Sequence, residues 1–537
     1  PSNGHDWQEA CNDIRGSTPL SQFWRLSKRL TKAGKAGQKG AFTPFLDRKG
    51  SRVLTGTDQA HAIGENLRWR SSFEHPANAE FDPVFKQEVE ATIANGDFFD
   101  PVGQQESACP LTMEELTTAL AAFKPDTAPG ADGISIRLLR LIGDEALQYL
   151  LSIFNESWDK GIYPQQWASA VVTPLAKVAA PQVMADYRPI SLLNVMGKVM
   201  ERTVHPRIEW DIEKGGGLRP DQLGFRAFCS APQQAMRVAQ AAHAAWECKQ
   251  RLAFISLDVA KAYDTVWSDG LLIKLKQKGI NGKMLRWIAA YLSPRSAGVK
   301  IAGHTSPQLT WDMGVPQGGV LSPLLFAVFV DDLPLSSSPR VQSALYADDS
   351  ALYTAVSRRD LAMEDAIRDL QDSLDLITTW AKKWRLTFAP GKSRIILLSP
   401  DKLIAAPLPP VFLCGAQIPE VREGTVRYLG VLFDRRLTYK AHLALLVTRA
   451  TARLNGLRSI AGTKSGPSRM QLQRLYLAWI RPVMEYGSEL YAGAHRKDLN
   501  PLDIIQNKAL RLIHGATMNA DVVGMHYNTG TDFLAMR

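Results

Sequence analysis

The sequence predicts an α+β fold organised around an antiparallel sheet, and three patterns predict it. Between about residues 166 and 435, short strands and helices follow one another without the regular strand–helix–strand repeat of a parallel sheet. Two apolar runs in that region end on acids: Leu252-Ala253-Phe254-Ile255-Ser256-Leu257-Asp258, and the pair of runs flanking Tyr346-Ala347-Asp348-Asp349. Beyond about residue 440 the chain reads as helical and rich in Arg and Leu.

In chain order, residues 1 to about 110 mix turn-rich stretches with aromatic anchors (Trp24, Trp69, Phe73) and a basic segment. That segment holds Arg25, Lys28, Arg29, Lys32, Lys35, Lys39, Arg48, Lys49 and Arg52 against Asp47 alone. Leu111-Thr112-Met113-Glu114-Glu115-Leu116 predicts a helix start, with Thr112 as N-cap and Glu115 placed to cap reciprocally. This helix ends before the Pro- and Gly-bearing loop at 124–133, and a second is predicted from about Ile136 to Trp158. Short strands follow around 170–175, leading to Lys177, and around 186–191, carrying Arg188. Helices then dominate to about 248. The divisions are thus 1–110 (basic N-terminal extension), 111–165 (helices), 166–435 (mixed) and 436–537 (helical).

With 537 residues, 45% hydrophobic and 22% charged, the chain has the composition of a globular protein with more than one subdomain. A formal charge of +10 and a pI near 9.2 favour a polyanionic partner. Arg449, Arg453, Arg458, Lys464, Arg469 and Arg474 form a second basic stretch. Either stretch can also be a solvated face, but two of them around an acidic centre favour a groove that tracks a phosphate backbone. The five cysteines form no CxxC pair, which argues against a zinc site or a disulfide framework and for a reducing compartment. No apolar run approaches 18 residues, so no membrane span is expected. The sequence starts at Pro1, and the expectation is a fragment or processed product.

The acids carry the chemistry. The runs around Tyr346-Ala347-Asp348-Asp349 read as strand, tight turn and strand, with two carboxylates at or beside the tip. If this hairpin pairs with the run ending at Asp258, three carboxylates meet at one sheet edge and repel one another unless a cation lies between them. Oxygen-rich clusters of this kind suit Mg²⁺ or Mn²⁺, which also bind phosphates. Asp-Asp in a turn is equally ordinary turn chemistry, and the tetrapeptide alone leaves that choice open. Between the acids lies Gly314-Val315-Pro316-Gln317-Gly318-Gly319-Val320-Leu321-Ser322-Pro323. Its small residues allow close backbone approach to a ligand and Gln317 can hydrogen-bond there, or the segment is simply a turn capping a core helix. Tyr263 lies five residues after Asp258. Its ring is either a core tyrosine or a wall against a 2′-hydroxyl. Asp264 reads as a helix-start residue rather than a ligand.

Taken together, these residues resemble reverse transcriptases, specifically those of non-LTR (LINE-type) retrotransposons. The matching pieces run in order over roughly three-quarters of the chain. They are Ala128-Pro129-Gly130-Ala131-Asp132-Gly133-Ile134, Tyr187-Arg188-Pro189-Ile190-Ser191-Leu192-Leu193, Gln222-Leu223-Gly224-Phe225-Arg226, the segments at 258–264, 314–323 and 346–349, Gly391-Lys392-Ser393, and Tyr428-Leu429-Gly430-Val431. Two more follow at 481–487 and 505–511.

The resemblance implies a right-hand polymerase with fingers, a palm holding the antiparallel sheet, and a helical thumb. The implied activity is that of an RNA-directed DNA polymerase, adding dNTPs to a DNA 3′ end on an RNA template. Asp258, Asp348 and Asp349 are implied as the catalytic, metal-binding acids, with the Val259 carbonyl as a further ligand to two Mg²⁺ (or Mn²⁺) ions. Lys177 and Arg188 match positions that hold the triphosphate, Gln317 and Gly318 would line the nucleotide pocket, and Tyr263 would be the sugar gate. Lys392 matches a proton donor to pyrophosphate, and a solvated turn lysine is the other reading of it. Arg449, Arg453 and Arg458 fit a thumb gripping template–primer phosphates. RNA template, DNA primer and dNTPs are the implied partners; an intracellular setting, in nucleus and cytoplasm, is implied with them, and oligomeric state is left open.

The chain departs from the family's usual pattern at Thr127 (often Lys), Ala176 (usually Pro), Gly319 (usually Ser) and Tyr263 (often Phe), none of which removes a reacting group. No nuclease-like array of acids and histidines precedes residue 110 and no Cys/His knuckle closes the chain, so a polymerising fragment is expected. The alternative is a catalytically silent nucleic-acid-binding remnant. An RNA-dependent RNA polymerase is a third reading, opposed by Tyr263 and the extended matches.

Overall fold

The computed structural model describes residues 45–47, 50–53, 55–72, 81–102, 106–178, 181–301, 303–357, 360–402, 407–461 and 466–534. Most of the N-terminal basic segment lies outside the described residues, from Arg25 to Lys39 together with Arg48 and Lys49, as do Trp24, Phe73 and Lys464.

A four-stranded antiparallel sheet forms the centre, in the order Arg394–Leu398, Arg251–Asp258, Asp349–Val356, Val341–Tyr346. The expected hairpin is present: Tyr346 pairs with Asp349 across a two-residue turn. In that turn Ala347 takes φ 61°, the left-handed value that primed hairpin turns require. A residue with a Cβ pays roughly 1–2 kcal/mol for that conformation, so the surroundings must hold it.

Both faces of the sheet are covered, and the two-residue period of a strand divides its side chains between them. On the central strand, Ala253, Ile255 and Leu257 join a core with the helices Val195–Lys214, Ser322–Phe329 and Asp360–Trp384. Leu252 and Phe254 join a second core with the helices Ala231–Glu247, Lys440–Ile460 and Arg496–His514. Two-sided burial explains why the strand reads as a nearly continuous apolar run rather than as alternation.

A second sheet is of mixed sense. Ala170–Ala176 pairs antiparallel with Tyr187–Leu193 and parallel with Arg295–Ile301, which also pairs with Leu309–Trp311. The helix Gly56–Arg70, within the stretch read as an N-terminal extension, packs on this sheet through Ile63 and Leu67.

Local signals fix several boundaries. Thr112 and Glu115 cap one another at the start of Met113–Ala122, at 3.2 and 2.8 Å, and Arg207 ties Glu115 to the helix Val195–Lys214 at 2.6 Å. The helix expected from Ile136 to Trp158 is instead two, Ile136–Leu139 and Asp144–Lys160. Gly143 adopts an extended conformation as the N-cap of the second, and an interruption at glycine is inexpensive.

Glu201 joins the helix Val195–Lys214 to the glycine-rich segment. It is fully buried, and one carboxylate oxygen accepts from the backbone N–H groups of Val320 (2.6 Å) and Leu321 (3.0 Å). Burial raises its pKa above the ordinary value of 4.5, partly offset by those N–H groups and by Arg295 and Lys198. The folded state therefore holds this proton more tightly than the unfolded chain does. Its stabilising share is complete below about pH 4.5 and is lost as pH rises through the raised value. Glu201→Gln keeps an acceptor without the charge. Urea unfolding at several pH values should show a flatter decline in stability above pH 4.5 for the variant; identical slopes would contradict this assignment.

Candidate active site

The register of the central sheet sets Asp258 directly opposite Asp349, with Asp348 on the adjoining turn. Each strand ends where its acid begins, so the carboxylates gather at one edge. Asp348 and Asp349 reach solvent, yet the surrounding protein removes enough water to matter. Burial raises the pKa of Asp348, Asp258 adds repulsion, and Arg188 partly offsets both. Burial, then Asp348 and Asp258, push Asp349 up to about 6 against the pull of Arg427. Asp258 is held from the side: its N–H donates to Ser393 Oγ (3.2 Å) and its carbonyl accepts from the Ala389 N–H (2.8 Å). Lys392 Nζ stands 3.6 Å from its carboxylate.

Tyr263 stacks on Phe326 with ring centroids 5.1 Å apart, on the helix that follows the glycine-rich segment. Burial first, then the nearby Asp348, raise its hydroxyl pKa. The expectation for Asp264 is corrected: the following helix starts only at Ser268, and Asp264 lies in the irregular turn before it. Lys261 at φ 55° and Asp264 N–H donating to the Lys261 carbonyl keep that turn from continuing as helix. The Asp264 carboxylate accepts from Gln317 Nε2 at 2.9 Å.

Gln317 and Gly318 lie against the second sheet. The Ser191 N–H donates to the Gln317 carbonyl at 2.8 Å, and a Cβ at Gly318 (φ 129°) would stand 2.7 Å from the Ser191 carbonyl. That approach requires glycine. At Gly319 a Cβ would meet Ser322 Oγ at 2.6 Å and the Tyr291 hydroxyl at 2.8 Å, so serine here would need both side-chain ends to move.

Several cations lie near Lys177 and Lys261, together with Asp264. Burial, then Lys392, Arg188 and Arg70, lower the pKa of Lys177, whose Nζ donates to the Ala185 carbonyl at 2.9 Å. Lys261 is lowered to about 8, first by burial and then by Arg70, Lys392 and Lys177, with Asp264 opposing. Lys177 and Lys261 thus both feel the charges of Arg70 and Lys392, Lys177 also that of Arg188, with Asp264 opposing. The sequence reading missed Lys261, Arg70 and Arg427. Lys261 sat inside the quoted segment 258–264, whereas Arg70, nearly 200 positions upstream of it, carried no local signal. The helix Lys440–Ile460 carries the remaining expected residues: Arg449 and Arg458 are exposed, while half-buried Arg453 donates to the Trp479 carbonyl.

Three carboxylates with oxygen donors only, mutually repelling, have the chemistry that a hard dication satisfies, and the Val259 backbone follows directly on Asp258. As the side chains stand, no group of three His, Cys, Asp or Glu among the described residues converges as a metal-holding set, and Lys392 supplies the positive charge beside Asp258. The all-oxygen chemistry of the donors, rather than their present side-chain positions, is what suits Mg²⁺ or Mn²⁺.

The segment from Lys177 to Phe433 matches the family described as reverse transcriptase (RNA-dependent DNA polymerase), and that segment contains the sheet that carries these acids. Among curated proteins, the RNA-directed DNA polymerase from mobile element jockey of Drosophila melanogaster is 30% identical over 501 residues, which cover 92% of this chain and 52% of that protein. The probable RNA-directed DNA polymerase from transposon X-element of the same species is 27% identical over 96% of this chain and 57% of its own length. A retrovirus-related Pol polyprotein from type-1 retrotransposable element R1 of Bradysia coprophila is 24% identical over 76% of this chain and 40% of its own length. The chain is a relative of the RNA-directed DNA polymerases of non-LTR retrotransposons and spans about half the length of the curated relatives first matched. No described helix is long and apolar enough to cross a membrane.

The electrostatic coupling of the acids can be checked directly. In Asp348→Asn, the Asp349 carboxyl should titrate below about 6 but stay above the ordinary range, because burial is the larger cause. Carbon-detected NMR titration of the labelled carboxyl reads this. An unchanged value would mean that the two side chains point apart.

Proposed function

We propose that the chain is an RNA-directed DNA polymerase that extends a DNA 3′ end on an RNA template, using dNTPs. The observation that carries this reading is the register placing Asp349 opposite Asp258 with Asp348 on the turn, beside a cluster of cations. In a right-hand layout, the four-stranded sheet serves as palm, the second sheet with residues 111–165 as fingers, and the helices after about 436 as thumb. Residues before 110 are read as an extension of this core.

Asp258, Asp348 and Asp349, with the Val259 carbonyl, are the residues that would hold two Mg²⁺ ions. Such ions, when bound, activate the primer hydroxyl and neutralise charge on the leaving group. The chain's own groups do the rest. Lys177, Arg188 and Lys392 bind the triphosphate oxygens, joined by Lys261. Gln317 and Gly318 offer a narrow wall for the incoming nucleotide, kept in place by Asp264 and Ser191. Tyr263, braced on Phe326, closes the space where a 2′-hydroxyl would sit. As the primer hydroxyl gives its proton to water and its O3′ bonds to the α-phosphorus, the α–β phosphoanhydride breaks and Lys392 would give a proton to the leaving pyrophosphate. Arg449 and Arg458 face solvent, suited to phosphates of the template–primer duplex, with Arg453 anchored between them.

Primer extension with an RNA template, a DNA primer, dNTPs and Mg²⁺ tests the whole reading. Synthesis is expected from the wild-type chain and should fall by roughly 100-fold or more in Asp348→Ala, beyond the 10–100-fold typical of losing a ligand's outer partner. A folded wild-type chain that makes no product at low salt would refute it. Tyr263→Ala should raise the use of ribonucleotides relative to dNTPs by about tenfold or more, and unchanged sugar selectivity would remove Tyr263 from the gate. Replacing Arg449 and Arg458 by Ala should weaken duplex binding and lower the slope of log affinity against log salt by roughly one per lost phosphate contact.

A further inference from the structure

The motif Gln222-Leu223-Gly224-Phe225-Arg226 takes no part in the chemistry described above, yet it touches the turn that carries Asp348. Gln222 is 0% exposed. Its Oε1 accepts from the N–H of Gly224 at 2.8 Å and from the N–H of Ala347 at 3.0 Å. Around it the backbone pairs with the edge strand: Leu223 N–H donates to the Leu345 carbonyl and Leu345 N–H to the Asp221 carbonyl, both at 3.0 Å. Gln234 Nε2 donates to the same two carbonyls, of Asp221 at 2.8 Å and Leu345 at 3.1 Å. Gly224 comes so close that a Cβ there would stand 2.2 Å from the Ala347 nitrogen. That neighbour is backbone and cannot swing aside.

Ala347 is a residue with a side chain held at φ 61°, a conformation that persists only where the surroundings over-determine it. Its N–H has one side-chain acceptor, and that acceptor is Gln222. We propose that Gln222 is a positioning residue for the acidic turn: its side-chain carbonyl fixes the Ala347 peptide and, through it, the direction of Asp348 one residue on. Gly224 provides the close approach that brings the two groups within bonding distance. The catalytic consequence rests on the polymerase reading; the structural link between Gln222 and the turn does not.

The test compares the full wild-type chain with Gln222→Met, which keeps the volume without the acceptor, and with Gln222→Asn, a milder variant one methylene short. Hydrogen–deuterium exchange at Ala347 should quicken by about tenfold or more in Gln222→Met while the strand Arg394–Leu398 keeps its protection. In primer extension kcat should fall between about tenfold and a hundredfold, as a displaced reacting group predicts, with the KM for dNTP and the template–primer Kd within about twofold. Exchange at Ala347 that does not change, protection lost evenly across the sheet, or kcat held near wild type would each overturn the proposal. A wild-type chain without primer extension would instead overturn the polymerase reading, and the exchange measurement would still decide whether Gln222 holds the turn.

Discussion

Two carboxylates facing each other across an antiparallel pair is an arrangement that electrostatics opposes, and the rest of the domain can be understood as what holds Asp258 and Asp349 there. Strand register cannot slip by one residue to relieve the repulsion, because a slip would turn every buried side chain of the central strand toward the wrong core. Ladder bonds along Arg251–Asp258 and Asp349–Val356, each strand buried on both faces, make that register far more costly to change than the repulsion is to tolerate. The unfavourable pairing is thereby preserved for whatever positive charge approaches it.

The glycine-rich segment follows the same logic. It has no strand partner of its own, so it is placed by three separate structures: Ser191 of the second sheet, Asp264 after the first acidic strand, and Glu201 from below. Each is a hydrogen bond to a group that must otherwise stay solvated, and two glycines allow the approach. The cations near Lys177 and Lys261 come from equally scattered places, from Arg70 in the N-terminal helix to Lys392 in the turn before the last strand of the sheet.

Much of this was legible in the sequence. The acidic strand ends, the hairpin, the capping pair Thr112 and Glu115, and the helical C-terminal region all rest on short-range patterns that tertiary packing reinforces. Legibility failed where the cause was long-range or conformational. Asp264 resembled a helix start because Asp favours that position, but a left-handed Lys261 delays the helix by four residues. The break at Gly143 is invisible to apolar periodicity, which continues across it. The parallel pairing of Ala170–Ala176 with Arg295–Ile301 joins segments more than a hundred residues apart, and the charge of Arg70 acts on Lys261 because the N-terminal helix folds onto that sheet. No local rule anticipates such contacts.

The strand order of the central sheet has a consequence for how the chain is made. Arg251–Asp258 is synthesised first, yet its neighbours on either side are Asp349–Val356 and Arg394–Leu398. During translation this apolar strand must wait for roughly a hundred residues before its first partner appears, on the order of 5–20 s at 5–20 residues per second. Both its edges are open in that interval, a state prone to pairing with other chains. Helices that form locally on either side, Ala231–Glu247 before it and Ser268–Gln277 after it, are the nearest shelter available to it on the ribosome.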